Sequence, residues 1–218
     1  MICIVDYGMG NVGSIVNMFR RLGIRAVRSS APAEIEKADR IIIPGVGSFD
    51  QGMKALSERG LREVLDRSVI RDRKPLLGIC LGMQLLGRSS EEGSEKGLGW
   101  IQAQAKRFVP VPETDGRRAK VPHMGWNYAL PARSHPLFAD TKGDSRFYFV
   151  HSYRVVCDVT DDVLATTWYG GGAFASIVGR DHIVGVQFHP EKSHRFGMQI
   201  LKNFASWTPA ATEGVSPA

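Results

Sequence analysis

The feature that most constrains this chain is a cysteine between two glycines at the end of a short apolar run. Residues 75–79 predict a buried strand, and the run leads through Gly78, Cys80 and Gly82 into the helical pattern that starts at Met83. A strand, a sharp turn and a helix in this order present a nucleophile at a sheet edge. The two glycines leave room for a strained backbone, and the amide groups at the helix N-terminus favour a thiolate. The sequence therefore predicts an activated Cys80 that attacks a carbonyl group.

A second segment supplies the base that such a cysteine needs. Residues 183–188 predict another strand, and His189 and Glu191 follow it with Pro190 between them. Side chains two residues apart in an extended segment point to the same side, so Glu191 can hold the His189 imidazole in the tautomer that serves Cys80. The alternative is a cysteine that is merely buried, as free cysteines often are. The His-Pro-Glu segment favours catalysis.

A third segment can supply hydrogen-bond donors for a negatively charged oxygen. The β-branched run 41–43 is followed by Pro44, Gly45, Val46 and Gly47. The glycines allow a backbone amide to turn toward a reacting oxygen. We expect amides of Val46 and Gly47, with the amide of Leu81, to form an oxyanion hole. Taken alone, this segment would be interpreted as an ordinary strand–helix loop.

Together the three segments resemble the class I, or triad, glutamine amidotransferases. Residues 4–11, 121–127 and 148–153 further resemble glutaminase subunits of this family that serve histidine biosynthesis, and the similarity extends over residues 1–206. The resemblance implies a catalytic triad and a substrate site for L-glutamine, with no organic cofactor and no metal ion. The implied triad is Cys80, His189 and Glu191, and the implied substrate-binding residues are Gly45, Gln84, Ser152 and Tyr153. The alternative within the family is a glutaminase subunit of another class I amidotransferase.

The resemblance also implies a partner protein. The sequence contains no Walker-type phosphate loop and no second catalytic motif, so the ammonia must be used elsewhere. The family relationship points to a heterodimer with a separate (β/α)8-barrel cyclase subunit. Methionine and aromatic residues are enriched at interfaces, although a hydrophobic core is the alternative for Met124 and Trp126. The predicted interface residues are Asn11, Pro122, Met124, Trp126, Tyr148 and Lys192.

The order of predicted elements indicates an α/β fold. Strands and helices alternate up to residue 87, which predicts a parallel sheet covered on both faces. These strands are 1–6, 24–28, 40–43 and 75–79, and the helices are 12–22, 33–37, 51–58, 61–71 and 82–87. Short strands then predict an added, largely antiparallel region at 101–108, 117–121, 146–150, 153–156, 162–168, 173–178 and 182–187. A helix at 193–206 completes one domain, 1–206, of the flavodoxin-like class I amidotransferase fold, and 207–218 is expected to be a disordered tail.

Composition argues against several other classes of protein. Lys and Arg number 28 against 22 Asp and Glu, but the charges alternate along the chain, so no nucleic-acid partner is expected. The longest apolar runs are too short to span a membrane, and the N-terminal segment lacks the pattern of a secretory signal. Three widely spaced cysteines suit a reducing cytoplasm rather than disulfides or zinc.

Two other functional classes are weighed against the enzyme. Residues 8–13 fit the Gly-x-Gly-x-x-Gly pattern of dinucleotide-binding proteins, but residues 26–30 lack the acidic residue that should end the second strand. Only Arg28, which could accommodate a 2′-phosphate, supports that interpretation. A tight turn that presents Asn11 is the better account. A non-catalytic binding module is also disfavoured, because the chain keeps both the cysteine and the histidine.

Overall fold

The computed structural model describes residues 1–109, 119–141 and 145–210. Its first half alternates strands and helices, as predicted. The strands are β1 (Ile2–Val5), β2 (Ala26–Ser29), β3 (Arg40–Gly45) and β4 (Leu76–Cys80). The helices are α1 (Val12–Arg21), α2 (Pro32–Lys37), α3 (Phe49–Glu58), α4 (Leu61–Leu65) and α5 (Leu81–Leu85). The predicted helix 61–71 is α-helical only in its first part and continues as a π-helix over Asp66–Arg71.

The second half consists mainly of short strands and ends in a long helix. The strands are β5 (Ser89–Ser90), β6 (Ala103–Arg107), β7 (His123–Tyr128), β8 (Leu130–Pro131), β9 (Arg146–His151), β10 (Tyr153–Cys157), β11 (Val163–Tyr169), β12 (Gly172–Arg180) and β13 (Ile183–Val186). The helix α6 covers His194–Ser206. Two single-turn 3-10 helices, Pro136–Phe138 and Thr160–Asp162, lie between these strands, and a third, Pro190–Lys192, follows β13.

One predicted strand was misplaced. Residues 119–121 of the predicted strand 117–121 are not part of a strand, and β7 starts at His123; residues 117 and 118 lie outside the described ranges. The exposed positions of β7 carry the large apolar side chains, whereas the less exposed positions carry His123, Gly125 and Asn127, so the alternation is the reverse of the usual one. The apolar face of this half-buried strand is thus the exposed one, which the alternation in the sequence does not show.

The sheet changes from parallel to antiparallel next to the predicted site. Among the described residues, eleven strands form one sheet with the order β2-β1-β3-β4-β13-β12-β10-β6-β5, and β11 is added beside β12 and β8 beside β11. β13 pairs parallel with β4 and antiparallel with β12. The carboxyl ends of β3, β4 and β13 consequently lie side by side, with Gly45 opposite Cys80. Ligands in open α/β sheets bind at such carboxyl ends.

The core lies on both faces of this sheet, as predicted for the alternating half. Successive residues of β3 contribute to different hydrophobic clusters: Ile41 and Ile43 to one, Ile42 to the other. β7 and β9 form a separate two-stranded antiparallel sheet. No helix within the described ranges is both long and apolar enough to cross a membrane.

Candidate active site

Cys80 occupies a strained turn between β4 and α5. Its φ of 53° and ψ of −107° are unusual for a residue with a side chain, and such strain is concentrated at functional sites. A Cβ at Gly82 would lie 1.9 Å from the Ile43 carbonyl oxygen, and one at Gly78 would lie 2.7 Å from the Gly82 oxygen. Both glycines are thus required for the close approach of α5 to β3 and β4, which confirms the predicted strand–turn–helix structure.

His189 and Glu191 form a buried hydrogen-bonded pair. His189 Nδ1 lies 2.8 Å from Glu191 Oε1, and the two side chains are 1% and 2% exposed. His189 Nε2 has no hydrogen-bond partner among the described residues, and its ring lines the same pocket as Cys80. Burial alone would lower the pKa of His189, but hydrogen-bonding and charge interactions with Cys80 and Glu191 raise it to about 9. The pair can therefore hold a proton beside the sulfur at neutral pH.

The loop that carries His189 is fastened to strand β9. The His189 backbone amide donates to the Tyr148 carbonyl at 2.9 Å. Ser193 Oγ accepts the Tyr148 amide at 2.9 Å and donates to the His189 carbonyl at 2.6 Å. A Cβ at Gly197 in α6 would lie 1.9 Å from the Pro190 oxygen, so helix and loop are in close contact. These contacts fix the imidazole relative to β9.

The segment after β3 lies beside Cys80. Val46 is 44% exposed, Gly47 has a φ of 116°, and both line the pocket together with Leu81. Gly45 is buried, and a Cβ there would lie 2.6 Å from the Tyr7 hydroxyl and 2.8 Å from Leu81 Cβ. Gly45 is not among the residues that line the pocket, and its predicted contact with substrate stays a prediction. Its close packing places it beneath the pocket wall, where it sets the path of the backbone.

A pocket of about 310 Å³ opens above the cysteine. This volume is sufficient for an amino-acid substrate. Gln84, Ser152 and Tyr153 all lie in its wall, as the resemblance implied. Gln84 is buried rather than solvated. The lining residues are Val46, Gly47, Cys80, Leu81, Gln84, Glu92, Pro122, Val150, His151, Ser152, Tyr153 and His189.

Glu92 is a pocket residue that the sequence did not reveal. Its Oε2 accepts the backbone amide of Phe49, the first residue of α3, at 2.8 Å. The carboxylate is thereby held at the pocket wall, where it can pair with a substrate ammonium group. No motif marks Glu92, because it lies in a loop after β5 next to a second glutamate.

Two buried histidines were also missed, His151, which lines the pocket, and His123, which does not. His151 Nε2 lies 3.0 Å from His123 Nδ1 on the paired strands β9 and β7. Burial lowers the pKa of His123 to about 4 and that of His151 to about 3, so both rings are neutral at pH 7. Both lie in segments that carry the family resemblance, but sequence spacing does not show that they face each other.

The predicted interface residues of β7 are exposed. Met124 is 61% exposed and Trp126 is 44% exposed, so the alternative that they belong to the core is wrong. Tyr128, which was not among the predicted interface residues, continues the same face with 45% exposure. These three side chains form an apolar stripe, which is typical of interaction surfaces.

The other predicted interface residues lie next to this stripe, at the pocket and at the start of α1. Lys192 Nζ lies 5.7 Å from the centre of the Tyr148 ring, which meets Trp126 edge to face at 6.1 Å. Pro122 lines the pocket. Asn11 caps α1 by accepting the Ser14 amide at 3.2 Å.

The turn before α1 is tight, as expected if residues 8–13 form a turn that presents Asn11 rather than a dinucleotide-binding loop. Gly8 and Gly10 have φ values of 88° and 94°. A Cβ at Gly10 would lie 3.2 Å from the Gly45 amide nitrogen, so this turn abuts the end of β3. Arg28, the residue that a 2′-phosphate would need, is engaged with Asp6 at 2.6 Å.

Sequence comparisons agree with this geometry. The profile of the family described as glutamine amidotransferase class-I matches residues 3–207. A Pseudomonas aeruginosa protein named imidazole glycerol phosphate synthase subunit HisH 2 is 50% identical over 94% of this chain and 98% of its own length. A Methanococcus maripaludis protein of the same name is 51% identical with the same coverage.

Solved structures show the same fold. A structure described as a glutamine amidotransferase has a TM-score of 0.66 and 20% identity, covering 93% of this chain and 96% of its own. Another structure described as a glutamine amidotransferase, from Thermotoga maritima, has a TM-score of 0.60 and 15% identity, covering 93% of this chain and 81% of its own. The chain belongs to the class I glutamine amidotransferase family.

Proposed function

We propose that this chain is the glutaminase component of an imidazole glycerol phosphate synthase. It hydrolyses L-glutamine to glutamate and ammonia, and a cyclase subunit uses the ammonia in histidine biosynthesis. The observation that carries the chemistry is the buried His189–Glu191 pair, which faces the pocket that holds the strained Cys80. The assignment to this synthase is supported by two relatives that are named as its subunits and are about half identical over nearly the whole chain.

The proposed reaction is acyl transfer to sulfur. The Cys80 thiolate attacks the side-chain carbonyl carbon of glutamine, and the protonated His189 gives its proton to the leaving nitrogen. Ammonia departs and a thioester remains on Cys80. His189 then takes a proton from water as the water attacks the thioester, and glutamate leaves with return of the electron pair to sulfur. Glu191 holds His189 in the required tautomer and stabilises its charge.

Backbone amides stabilise the oxyanion in this proposal. The amides of Leu81, Val46 and Gly47 are the donors, and removal of one such donor typically raises a barrier by about 3–4 kcal/mol. Gln84, Ser152 and Tyr153 surround the amino-acid end of glutamine, where the Glu92 carboxylate pairs with the α-ammonium group. The location of all these residues in one pocket supports the assignment.

The proposed partner is a (β/α)8-barrel cyclase subunit in a heterodimer. It joins the ammonia to a phosphoribulosyl-formimino aminoimidazole carboxamide ribonucleotide, and forms imidazole glycerol phosphate and aminoimidazole carboxamide ribonucleotide. The cyclase docks on the face formed by Met124, Trp126, Tyr148, Lys192, Pro122 and Asn11. A cytoplasmic location is part of the proposal, supported by three cysteines that form no disulfide.

The test measures glutamate release from L-glutamine by the purified chain with and without the cyclase and its ribonucleotide ligand. The proposal predicts hydrolysis that requires Cys80 and rises sharply when the cyclase and ligand are present. Hydrolysis that persists in Cys80→Ala would contradict the proposed nucleophile. Equal stimulation by the acceptor protein of an unrelated amidotransferase would contradict the choice of partner.

A further inference from the structure

A buried glutamine outside the triad contacts the reacting sulfur. Gln187 lies directly after β13, its side chain is fully buried, and its Nε2 donates toward Cys80 Sγ at 3.7 Å. Cys80 Sγ also lies 4.0 Å from the Val150 carbonyl oxygen, to which only the protonated thiol can donate. The Gln187 amide can therefore donate a hydrogen bond to the thiolate, whereas the Val150 carbonyl can only accept one from the thiol.

The orientation of Gln187 follows from a group that can only accept hydrogen bonds. The Tyr153 carbonyl accepts Gln84 Nε2 at 3.3 Å, which directs the Gln84 amino group toward it. The second hydrogen of the same Nε2 donates to Gln187 Oε1 at 3.2 Å. Because its oxygen faces Gln84, Gln187 presents its own Nε2 to the sulfur. A reversed amide would place an acceptor against a thiolate.

The Tyr153 carbonyl is itself held from the opposite side. His151 Nδ1 donates to it at 2.7 Å, and His151 Nε2 faces His123 Nδ1 at 3.0 Å. Asn127 Nδ2 lies 3.3 Å from His123 Nε2 and donates to the Trp168 carbonyl at 3.0 Å. The Asn127 amino group can only donate, so His123 Nε2 accepts from it and His123 Nδ1 donates to His151 Nε2. Each neutral ring therefore accepts at Nε2 and donates from Nδ1. This series of hydrogen bonds thus fixes the Tyr153 carbonyl, which sets the orientation of the Gln84 amide and, through it, that of the Gln187 amide.

We propose that Gln187 is a further catalytic residue of the glutaminase reaction and that Gln84 is its positioning residue. This inference rests on the proposed function for its reaction. Gln187 stabilises negative charge on Cys80 Sγ before the attack on glutamine and again when the thioester breaks and the electron pair returns to sulfur. Gln84 acts through Gln187 by keeping its Nε2 turned toward the sulfur.

The test compares wild type with Gln187→Met, which keeps a long buried side chain but removes the N–H donor. The rate of Cys80 alkylation by iodoacetamide is followed by mass spectrometry as a function of pH. The pH at which this rate reaches half of its maximum should be about one unit or more higher in Gln187→Met than in wild type. Loss of a hydrogen bond to a charged group should lower kcat about ten- to a hundredfold. KM should change little, because Gln187 does not line the pocket.

Three further variants separate this role from packing. Gln84→Met should shift the alkylation midpoint in the same direction by a smaller amount. Asn203→Leu removes another buried amide, which donates to the carbonyls of Leu137 and Ala139, and should leave the midpoint unchanged. If Gln187→Met does not fold, Gln187→Leu replaces it, because leucine is also apolar and has no N–H donor.

A folded Gln187→Met or Gln187→Leu protein with the wild-type alkylation profile would overturn the inference. Thermal unfolding establishes which variants are folded. Alkylation requires no glutamine, so it tests the contact of Gln187 with sulfur independently. An absence of glutamine hydrolysis in the wild type would instead refute the proposed function.

Discussion

At the scale of single residues, the surroundings of the three cysteines differ. Burial raises the pKa of the Cys3 thiol to about 11 and that of Cys157 to about 12, so both remain protonated at neutral pH. Cys80 lies instead at a pocket wall, with the His189 ring in the same pocket and the Gln187 amide at its sulfur. Thiolates rather than thiols are nucleophiles, so reactivity should be confined to Cys80.

A glutamine analogue that carries an electrophile should therefore label Cys80 and spare Cys3 and Cys157. Mass spectrometry of the digested protein locates the label. Excess L-glutamine is the control and should slow the labelling, because both molecules would occupy the same pocket. Label on Cys3 or Cys157 with Cys80 unmodified would end the assignment of Cys80 as the nucleophile.

Replacement of Glu191 by Gln should reduce glutaminase activity less than Cys80→Ala does. In a hydrolase triad the acid is less essential than the nucleophile or the base. Burial lowers the pKa of His189, and Glu191 is one of two negative groups that raise it to about 9. Activity of the wild type should therefore fall as the pH rises through about 9, and in Glu191→Gln this decline should move to lower pH.

The pH dependence of kcat/KM for both proteins checks this expectation. A decline at the same pH in wild type and variant would show that Glu191 does not control the protonation of His189. Total loss of activity in well-folded Glu191→Gln, equal to that of Cys80→Ala, would indicate a direct chemical role for Glu191.

The sequence predicted the positions of the triad residues but not their surroundings. Cys80 and His189 could be found because each follows a recognisable strand and belongs to a local motif. Gln187, Glu92 and His151 reach the pocket or the sulfur through contacts between segments distant along the chain, which no local spacing reveals. The roles of the triad residues remain predictions that the experiments above test.

At the scale of elements, strand β7 differs most from what the sequence suggested. Its inward position His123 is polar, whereas its exposed positions Met124, Trp126 and Tyr128 are apolar. The alternation is typical of a strand but does not show that its apolar side chains are exposed, which is typical of interaction surfaces. β9, the partner of β7, holds the His189 loop through the backbone of Tyr148. A partner that docks on β7 therefore contacts the strand pair that holds His189 in place.

Trp126→Ala and Lys192→Ala should each weaken the stimulation of glutamine hydrolysis by the cyclase and its ligand. Basal hydrolysis should remain nearly intact, because neither side chain lines the pocket. Titration of glutamate release against cyclase concentration measures both effects. Trp168→Ala is a matched control, since Trp168 is 65% exposed and lies on β11. Full stimulation in both variants would place the interface elsewhere.

The His123–His151 pair should cause the free energy of unfolding to fall at acid pH. Burial lowers the pKa of both rings below the ordinary value of 6.5, so the unfolded chain binds protons more readily than the folded one. The resulting stability is present above about pH 6.5 and is lost as the pH falls toward about 4. His123→Phe, which retains a ring against Phe149, should reduce this pH dependence.

Urea unfolding of wild type and His123→Phe at about pH 7 and about pH 5 measures this difference. The free energy of unfolding of the wild type should fall more between these pH values than that of the variant. An identical fall in both proteins would assign the acid sensitivity to other groups.

At the scale of the whole molecule, the site is a product of sheet topology. Three parallel strands that are separate in sequence, β3, β4 and β13, end side by side and bring together Gly45, Cys80 and the segment that leads to His189. The alternation of elements predicted the parallel half, because each helix there covers a face of the sheet. Local patterns could not predict that β7 and β9 form a separate sheet, since that pairing joins distant segments.

In the proposed function, this chain produces ammonia from glutamine for a bound cyclase. The direct measurement supplies L-glutamine labelled with 15N in its side-chain amide, unlabelled ammonium in the buffer, and the cyclase with its ribonucleotide substrate. Mass spectrometry of imidazole glycerol phosphate then identifies the source of its nitrogen. The account predicts 15N in the product with the wild type and only unlabelled nitrogen with Cys80→Ala. Unlabelled product with the wild type would contradict it.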